Sequence, residues 1–195
     1  MSIGVLNVGV GNIGSIVNSL KKNGFEVTVE SSPENLNNYQ RLILPGVGSY
    51  SVFMDGIVNK GFYEAIRTYV TDPEKKLIGI CVGMQALFEK GVEGGERSGF
   101  DFVDGIVTKL DEGALGRVPN VGWSYVEFEG ALATFSGDYY FTHSYANQGS
   151  LDRCGLSHHN TDITAAVVRN NIIGFQFHPE KSGSVGTKLL SEVCS

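Results

Sequence analysis

Cysteine is scarce in this chain of 195 residues. Its three copies, Cys81, Cys154 and Cys194, are odd in number, far apart and never spaced as C-x-x-C. That argues against a disulfide framework and a structural zinc site, and for a reducing compartment, the cytoplasm. No apolar run approaches the ~20 residues that a membrane span needs, so no membrane association is expected. Positive charge is in deficit. Lys and Arg number 15 against 21 Asp and Glu, for a net charge of −6, which argues against nucleic acid as the main partner. No basic stretch precedes the first apolar residues, so no signal peptide is expected. Internal repeats and low-complexity segments are also lacking.

What is present points to an α/β protein. The chain is 42% hydrophobic with 26 glycines, enough for one domain, residues 1–195, with a full core and many tight turns. Residues 3–8 read as a buried strand. Ile13, Ile16, Val17 and Leu20 then recur at i, i+3, i+4 and i+7, the stripe of an amphipathic helix. Gly24 is placed to close that helix in a left-handed conformation. Residues 25–30 make the next strand, which completes a β-α-β unit and predicts a parallel sheet. Residues 41–44 form a third strand. Phe62, Ala65, Ile66, Tyr69 and Val70 mark a helix before a fourth, at 76–81. Beyond Phe88 the pattern changes. Residues 93–99 read as a flexible surface loop, and shorter strands follow at 105–110, 122–128, 139–145, 163–169 and 172–178. Asn170-Asn171 marks a hairpin turn, because asparagine tolerates positive φ. The second half thus has antiparallel character, and residues 184–193 form a closing helix. The fold class is an open, mostly parallel sheet flanked by helices, with antiparallel strands in the C-terminal half.

The fourth strand carries the main chemical signal. It runs apolar through Lys76-Leu77-Ile78-Gly79-Ile80 into Cys81, then Val82-Gly83-Met84-Gln85. Gly79-x-Cys81-x-Gly83 is the G-x-S-x-G nucleophile elbow with sulfur in place of oxygen. The turn is so sharp that flanking side chains would clash, hence the glycines. It aims the side chain at the N-terminus of a following helix, whose backbone N–H groups favour a thiolate. A buried structural cysteine is the competing reading. Gly9-Val10-Gly11-Asn12-Ile13-Gly14 matches G-x-G-x-x-G between a strand and a helix, with Glu30 near where a ribose-binding acid falls, so dinucleotide binding is a rival. Against it, the chain lacks length for a separate substrate domain. Gly9–Asn12, Pro45–Gly48 and Cys81 all lie at C-terminal strand ends and are expected on one rim of the sheet.

A cysteine nucleophile needs a base, and the base an orienter. His178-Pro179-Glu180 ends an apolar strand, and alternation in an extended segment would put His178 and Glu180 on one side. His143 is a second candidate base or a wall of the site. His158 and His159 fall in a polar stretch read as a solvated loop.

Together, Gly79–Gln85, the Pro45–Gly48 loop, Thr142-His143-Ser144-Tyr145 and Phe177-His178-Pro179-Glu180-Lys181-Ser182 resemble the class I, triad-type glutamine amidotransferases. The likeness is greatest to those members that dock on a (β/α)8-barrel synthase. It covers nearly the whole chain. It implies Cys81 as nucleophile, His178 as base and Glu180 as orienter. The N–H of Val82 and one from Gly46, Val47 or Gly48 would form the oxyanion hole. Gln85, Ser144 and Tyr145 would hold glutamine. No metal or organic cofactor is implied. The resemblance also implies a heterodimer with the barrel, which would receive ammonia and make imidazole glycerol phosphate and an aminoimidazole carboxamide ribotide in histidine biosynthesis. Asn12, Asn120, Trp123 and Lys181 match positions near that interface, which makes the glycine-rich first turn partner-facing. The family's Pro-Gly-Val-Gly loop holds a misdirected N–H until the barrel is occupied, so latent activity is implied. Two segments depart from the family: Asn7-Val8 replaces Asp-Tyr, and Asn120 replaces histidine. Those departures keep an alternative open, a paralogue feeding an amidotransferase that acts on a surface-polysaccharide sugar.

Overall fold

A computed structural model of the chain describes residues 2–11, 13–111 and 118–195. The first half alternates strand and helix. β1 (Ser2–Leu6) is followed by α1 (Ile13–Lys22), β2 (Glu26–Glu30), β3 (Arg41–Gly46), α2 (Tyr50–Asn59), α3 (Phe62–Tyr69) and β4 (Lys76–Cys81). α4 (Val82–Gln85) continues from β4 without a break. Then come the short β5 (Lys90–Gly91), β6 (Arg97–Ser98) and β7 (Ile106–Lys109). The second half holds β8 (Asn120–Phe128), β9 (Gly137–His143), β10 (Tyr145–Ala146), β11 (Arg153–His159), β12 (Thr161–Arg169), β13 (Ile172–Phe175) and α5 (Gly183–Cys194).

Nine strands form one mixed sheet in the order β2-β1-β3-β4-β13-β12-β11-β8-β9. The pairs from β2 to β13 are parallel, and those from β13 to β9 antiparallel. A second sheet orders β10-β7-β5-β6. Strands β1, β3 and β4 are unbroken apolar runs because the sheet is covered on both faces there. Helix α1 buries Ile16 and Leu20 and carries Lys21 and Lys22 in its last turn, where cations complement the exposed carbonyls. Gly24 follows at φ +83, the expected left-handed closure. Asn170 sits at φ 54 in the turn between β12 and β13, as its residue type predicts.

Three elements differ from the sequence reading. Helix α2 was not anticipated; it buries Tyr50, Phe53, Met54 and Ile57. His158 and His159 do not lie in a loop but end β11, which turns at Asn160 (φ 62) into β12. His158 Nδ1 lies 3.0 Å from Asp162 Oδ1 across that hairpin. The glycine-rich stretch 93–99 is tied down. β5 pairs with β6, Lys90 meets Glu96 at 3.0 Å, and Glu93 Oε2 accepts the Tyr50 N–H at 3.2 Å, capping α2.

The sheet curls so that its last strand returns over the middle. An aromatic cluster holds that closure. Phe177 packs on Tyr139 at 4.1 Å between ring centroids, on Phe175 at 5.2 Å and on Phe141 at 5.6 Å. Such pairs contribute roughly 0.5–1.5 kcal/mol each beyond the area they bury. The His178 N–H donates to the Tyr140 carbonyl at 2.8 Å, and Ser182 Oγ accepts the Tyr140 N–H at 3.0 Å. β9 is thereby fixed beside the ends of β4 and β13.

Candidate active site

Cys81 is the last residue of β4 and the cap of α4. Its backbone sits at φ 56, ψ −112, a conformation that costs roughly 1–3 kcal/mol for a residue other than glycine. The chain around it leaves no room for side chains. A methyl on Gly79 would lie 2.6 Å from the Gly83 carbonyl oxygen, and one on Gly83 would overlap the Leu44 carbonyl oxygen. The glycines of the elbow are therefore required by contact with backbone. β3 pairs Gly46 with Cys81, so the Pro45–Gly48 loop starts beside the thiol. Gly11 approaches the same loop; a methyl there would lie 3.8 Å from the Pro45 carbonyl. The three strand ends meet on one rim as expected, although Asn12 lies outside the described residues.

Strand β13 runs parallel to β4 with Phe175 beside Ile80, so the chain beyond it reaches the thiol. His178 Nδ1 lies 2.8 Å from Glu180 Oε1, and both side chains are buried. The local shape is not the extended alternation read from the sequence. Pro179–Lys181 forms a 3-10 turn capped by His178, and that turn swings Glu180 back onto the ring. With Nδ1 committed to the carboxylate, Nε2 is buried without a hydrogen-bond partner and is the nitrogen left for the sulfur. Burial alone would push this imidazole's pKa down. The Cys81 sulfur and the Glu180 carboxylate outweigh burial and hold it at about 9.

His143 behaves oppositely. Burial pushes it down to about 4, against the raising effect of the Tyr145 carbonyl. That carbonyl can only accept, so Nδ1, 3.0 Å away, carries the proton. Nε2 then accepts from Asn120 Nδ2 at 3.3 Å. Both ring nitrogens are engaged and the ring stays neutral. Of the two candidate bases, only His178 has a free nitrogen; His143 is a wall.

A pocket of about 360 Å³ opens beside Cys81. Val47, Gly48 and Ser49 line it from the loop after β3, and Val82 and Gln85 from the elbow helix. Pro119, Thr142, His143, Ser144 and Tyr145 line it from β9 and its neighbours, and Glu93 from the loop after β5. Gln85 is 2% exposed; its Nε2 donates to the Tyr145 carbonyl at 2.8 Å, while its Oε1 is buried without a partner. Burial raises the pKa of Glu93, opposed by the Tyr50 N–H. Among the described residues no cluster of His, Cys, Asp and Glu could hold a metal.

The residues assigned to an interface divide. Trp123 is 57% exposed and meets Tyr140 edge-on at 6.2 Å, and Lys181 Nζ lies 5.9 Å over the same ring. Asn120 is 3% exposed and bonded to His143, so it touches the pocket wall and not open surface. Asn7 is half-buried and bonded at the surface: its Oδ1 accepts the Gly9 N–H at 3.1 Å and its Nδ2 donates to Ser31 Oγ at 3.3 Å. Sequence reasoning missed Glu93, hidden in a glycine-rich stretch, and Gln176, hidden in an apolar strand pattern.

A family model described as glutamine amidotransferase class-I matches residues 4–194. Imidazole glycerol phosphate synthase subunit HisH of Wolinella succinogenes is 36% identical, over 98% of this chain and 98% of that protein. The subunit of the same name from Bacillus velezensis is 36% identical over 97% of this chain and 94% of its own length. Among solved structures, a glutamine amidotransferase aligns with a TM-score of 0.76 at 21% identity, covering 98% of both chains. PurLQS from Thermotoga maritima aligns at 0.76 with 18% identity, over 98% of this chain and 96% of that one. The elbow thiol and the full-length match lead to one conclusion: the chain belongs to the class I glutamine amidotransferase family.

Proposed function

We propose that this chain hydrolyses glutamine to glutamate and ammonia through Cys81, His178 and Glu180, and passes the ammonia to a (β/α)8-barrel synthase in histidine biosynthesis. The observation that carries the reading is the buried His178, bound to Glu180 on one nitrogen and open toward the elbow thiol on the other. His178 takes the Cys81 proton. The thiolate adds to the carboxamide carbon, and the carbonyl electron pair moves to oxygen. The N–H of Val82 and one from the Gly46-Val47-Gly48 loop stabilise that oxyanion. Collapse breaks the C–N bond, and His178 returns its proton to the departing ammonia. A water deprotonated by His178 then cleaves the thioester, releasing glutamate and the thiol. The Glu93 carboxylate is placed to meet the substrate's α-ammonium, and the unpartnered Gln85 Oε1 to accept a second N–H. Ser144 and Tyr145 complete the glutamine site.

Ammonia released into water at neutral pH is protonated and loses its nucleophilicity, so a docked acceptor fits the chemistry. Exposed Trp123 and Lys181 flank the half-buried Tyr140 and make a cluster for that partner, one residue from the catalytic Glu180. The relatives' names support the histidine pathway. So does the inward-facing Asn120, since a departure there removes no exposed contact. The test is growth without histidine of a strain lacking only its own glutaminase subunit, with its barrel present. Growth supports the reading. A soluble chain that hydrolyses glutamine yet fails to restore growth, but restores surface-polysaccharide amidation, would replace it with the paralogue reading.

A further inference from the structure

Gln176 is fully buried, next to an apolar strand, and nothing in the mechanism above uses it. A buried primary amide must find partners for its polar atoms. Its Oε1 accepts from Gln85 Nε2 at 3.1 Å, and its Nε2 lies 3.9 Å from Cys81 Sγ. The orientation follows from one atom. The Tyr145 carbonyl can only accept, so Gln85 turns its nitrogen to it. That nitrogen's second hydrogen reaches Gln176, which must offer oxygen there. Gln176 is thereby left with its NH2 group facing the sulfur.

On its other side the sulfur has the Thr142 carbonyl at 4.0 Å. A thiol can donate to that carbonyl. A thiolate cannot; besides the His178 ring, it has the Gln176 NH2 group beside it. Contacts of this kind are often long before substrate binds. We propose that Gln176 is a positioning residue for the nucleophile: its Nε2–H group receives the Cys81 thiolate and fixes the position of the sulfur at the end of β4. The inference deepens the glutaminase reading but concerns the thiol itself, so it is tested without turnover.

Gln176→Met keeps the length of the side chain and removes the donor. Alkylation of Cys81 by iodoacetamide, followed by peptide mass spectrometry, should slow by about tenfold at neutral pH, the scale of one charge-assisted hydrogen bond. The deficit should narrow at alkaline pH, where hydroxide deprotonates thiols with or without a hydrogen-bond donor. A purely packing role predicts an equal or faster rate at every pH, and that result would overturn the proposal. Should this variant not fold, the wild-type protein still answers. The Gln176 side-chain amide resonance should move as Cys81 ionises and lose that movement in Cys81→Ser. A resonance that follows pH identically in both proteins would also overturn it. If the chain released no glutamate from glutamine, the glutaminase reading would fail while both of these measurements still reported on Gln176.

Discussion

A thiol that attacks a carboxamide must be aimed, ionisable and reachable, and the three cysteines divide on those terms. Cys81 faces the pocket. Burial pushes the thiols of Cys154 and Cys194 up to about 12, in the latter against the lowering effect of Arg41 and Lys76. Cys81→Ser should abolish glutamate release, while Cys154→Ser and Cys194→Ser keep at least about half of it, because neither thiol is ionised at neutral pH. Comparable losses in all three variants would reject the assignment. The two buried histidines set a pH signature. Folded His143 titrates near 4 instead of 6.5, so between those values the unfolded chain binds a proton that the folded chain does not. Stability should therefore fall as pH drops through that window, by on the order of 3 kcal/mol in all. His178 is raised to about 9. Its contribution is whole below 6.5 and is lost as pH rises through 9. Urea midpoints should peak near 6.5, with the acid limb flattened in His143→Gln and the alkaline limb in His178→Gln. Unchanged limbs would show that these rings do not titrate as described.

Among the elements, the strand-to-helix turn from β4 to α4 is the most demanding. It places a non-glycine residue at positive φ and presses two glycines against carbonyl oxygens. Gly83→Ala forces a methyl into the Leu44 carbonyl, backbone that cannot rotate away. The expected loss exceeds the roughly 1–3 kcal/mol of ordinary overpacking, and it should appear as a fall in melting temperature along with lost activity. Gly24→Ala, in open space and outside the site, should cost only the strain of its positive φ, about 1 kcal/mol. If both variants melted alike, steric crowding at the elbow would not be the reason for its glycines. The elbow was legible in the sequence because its constraint is local: five residues and the shape of one turn. The His178–Glu180 pair was legible as a pair for the same reason, although the turn that joins them is 3-10 and not extended. Helix α2 was missed because its apolar residues, Tyr50, Phe53, Met54 and Ile57, follow a glycine-rich loop that reads as irregular.

At the scale of the whole molecule, the exposed residues of β8 ask for a partner. Val121, Trp123 and Tyr125 alternate along one face, each 57% or 58% exposed, while Asn120 and Val126 point inward. Trp123→Ala should leave the melting temperature of the isolated chain within a degree or two. It should weaken binding to the proposed barrel partner by about 30-fold, the effect of losing a central aromatic contact of ~2 kcal/mol. Calorimetric titration would measure both the affinity and any failure to bind. Glutaminase activity of the chain alone is expected to be low and to rise by roughly 10²–10³ on docking, the worth of one oxyanion-hole donor. Full activity without a partner would remove the latency that the family resemblance implies for the Val47 loop.

The sequence by itself determined the β-α-β start, the parallel first half and antiparallel second half of the sheet, the elbow cysteine with its glycines, and the adjacency of His178 to Glu180. Each of these is written in a window of a few residues, where apolar spacing or one tight turn decides the outcome. Only the tertiary structure decided what surrounds the sulfur. Thr142, 61 positions along the chain from Cys81, and Gln176, 95 away, reach it because an aromatic cluster folds β9 back over β4 and β13. The same closure engages both nitrogens of His143 and leaves one of His178 free, so of the two candidate bases only His178 can turn a nitrogen to the sulfur. It also turns Asn120 inward. Contacts across such separations depend on how the sheet curls and packs, which is a property of many residues together and is carried by no single stretch of them.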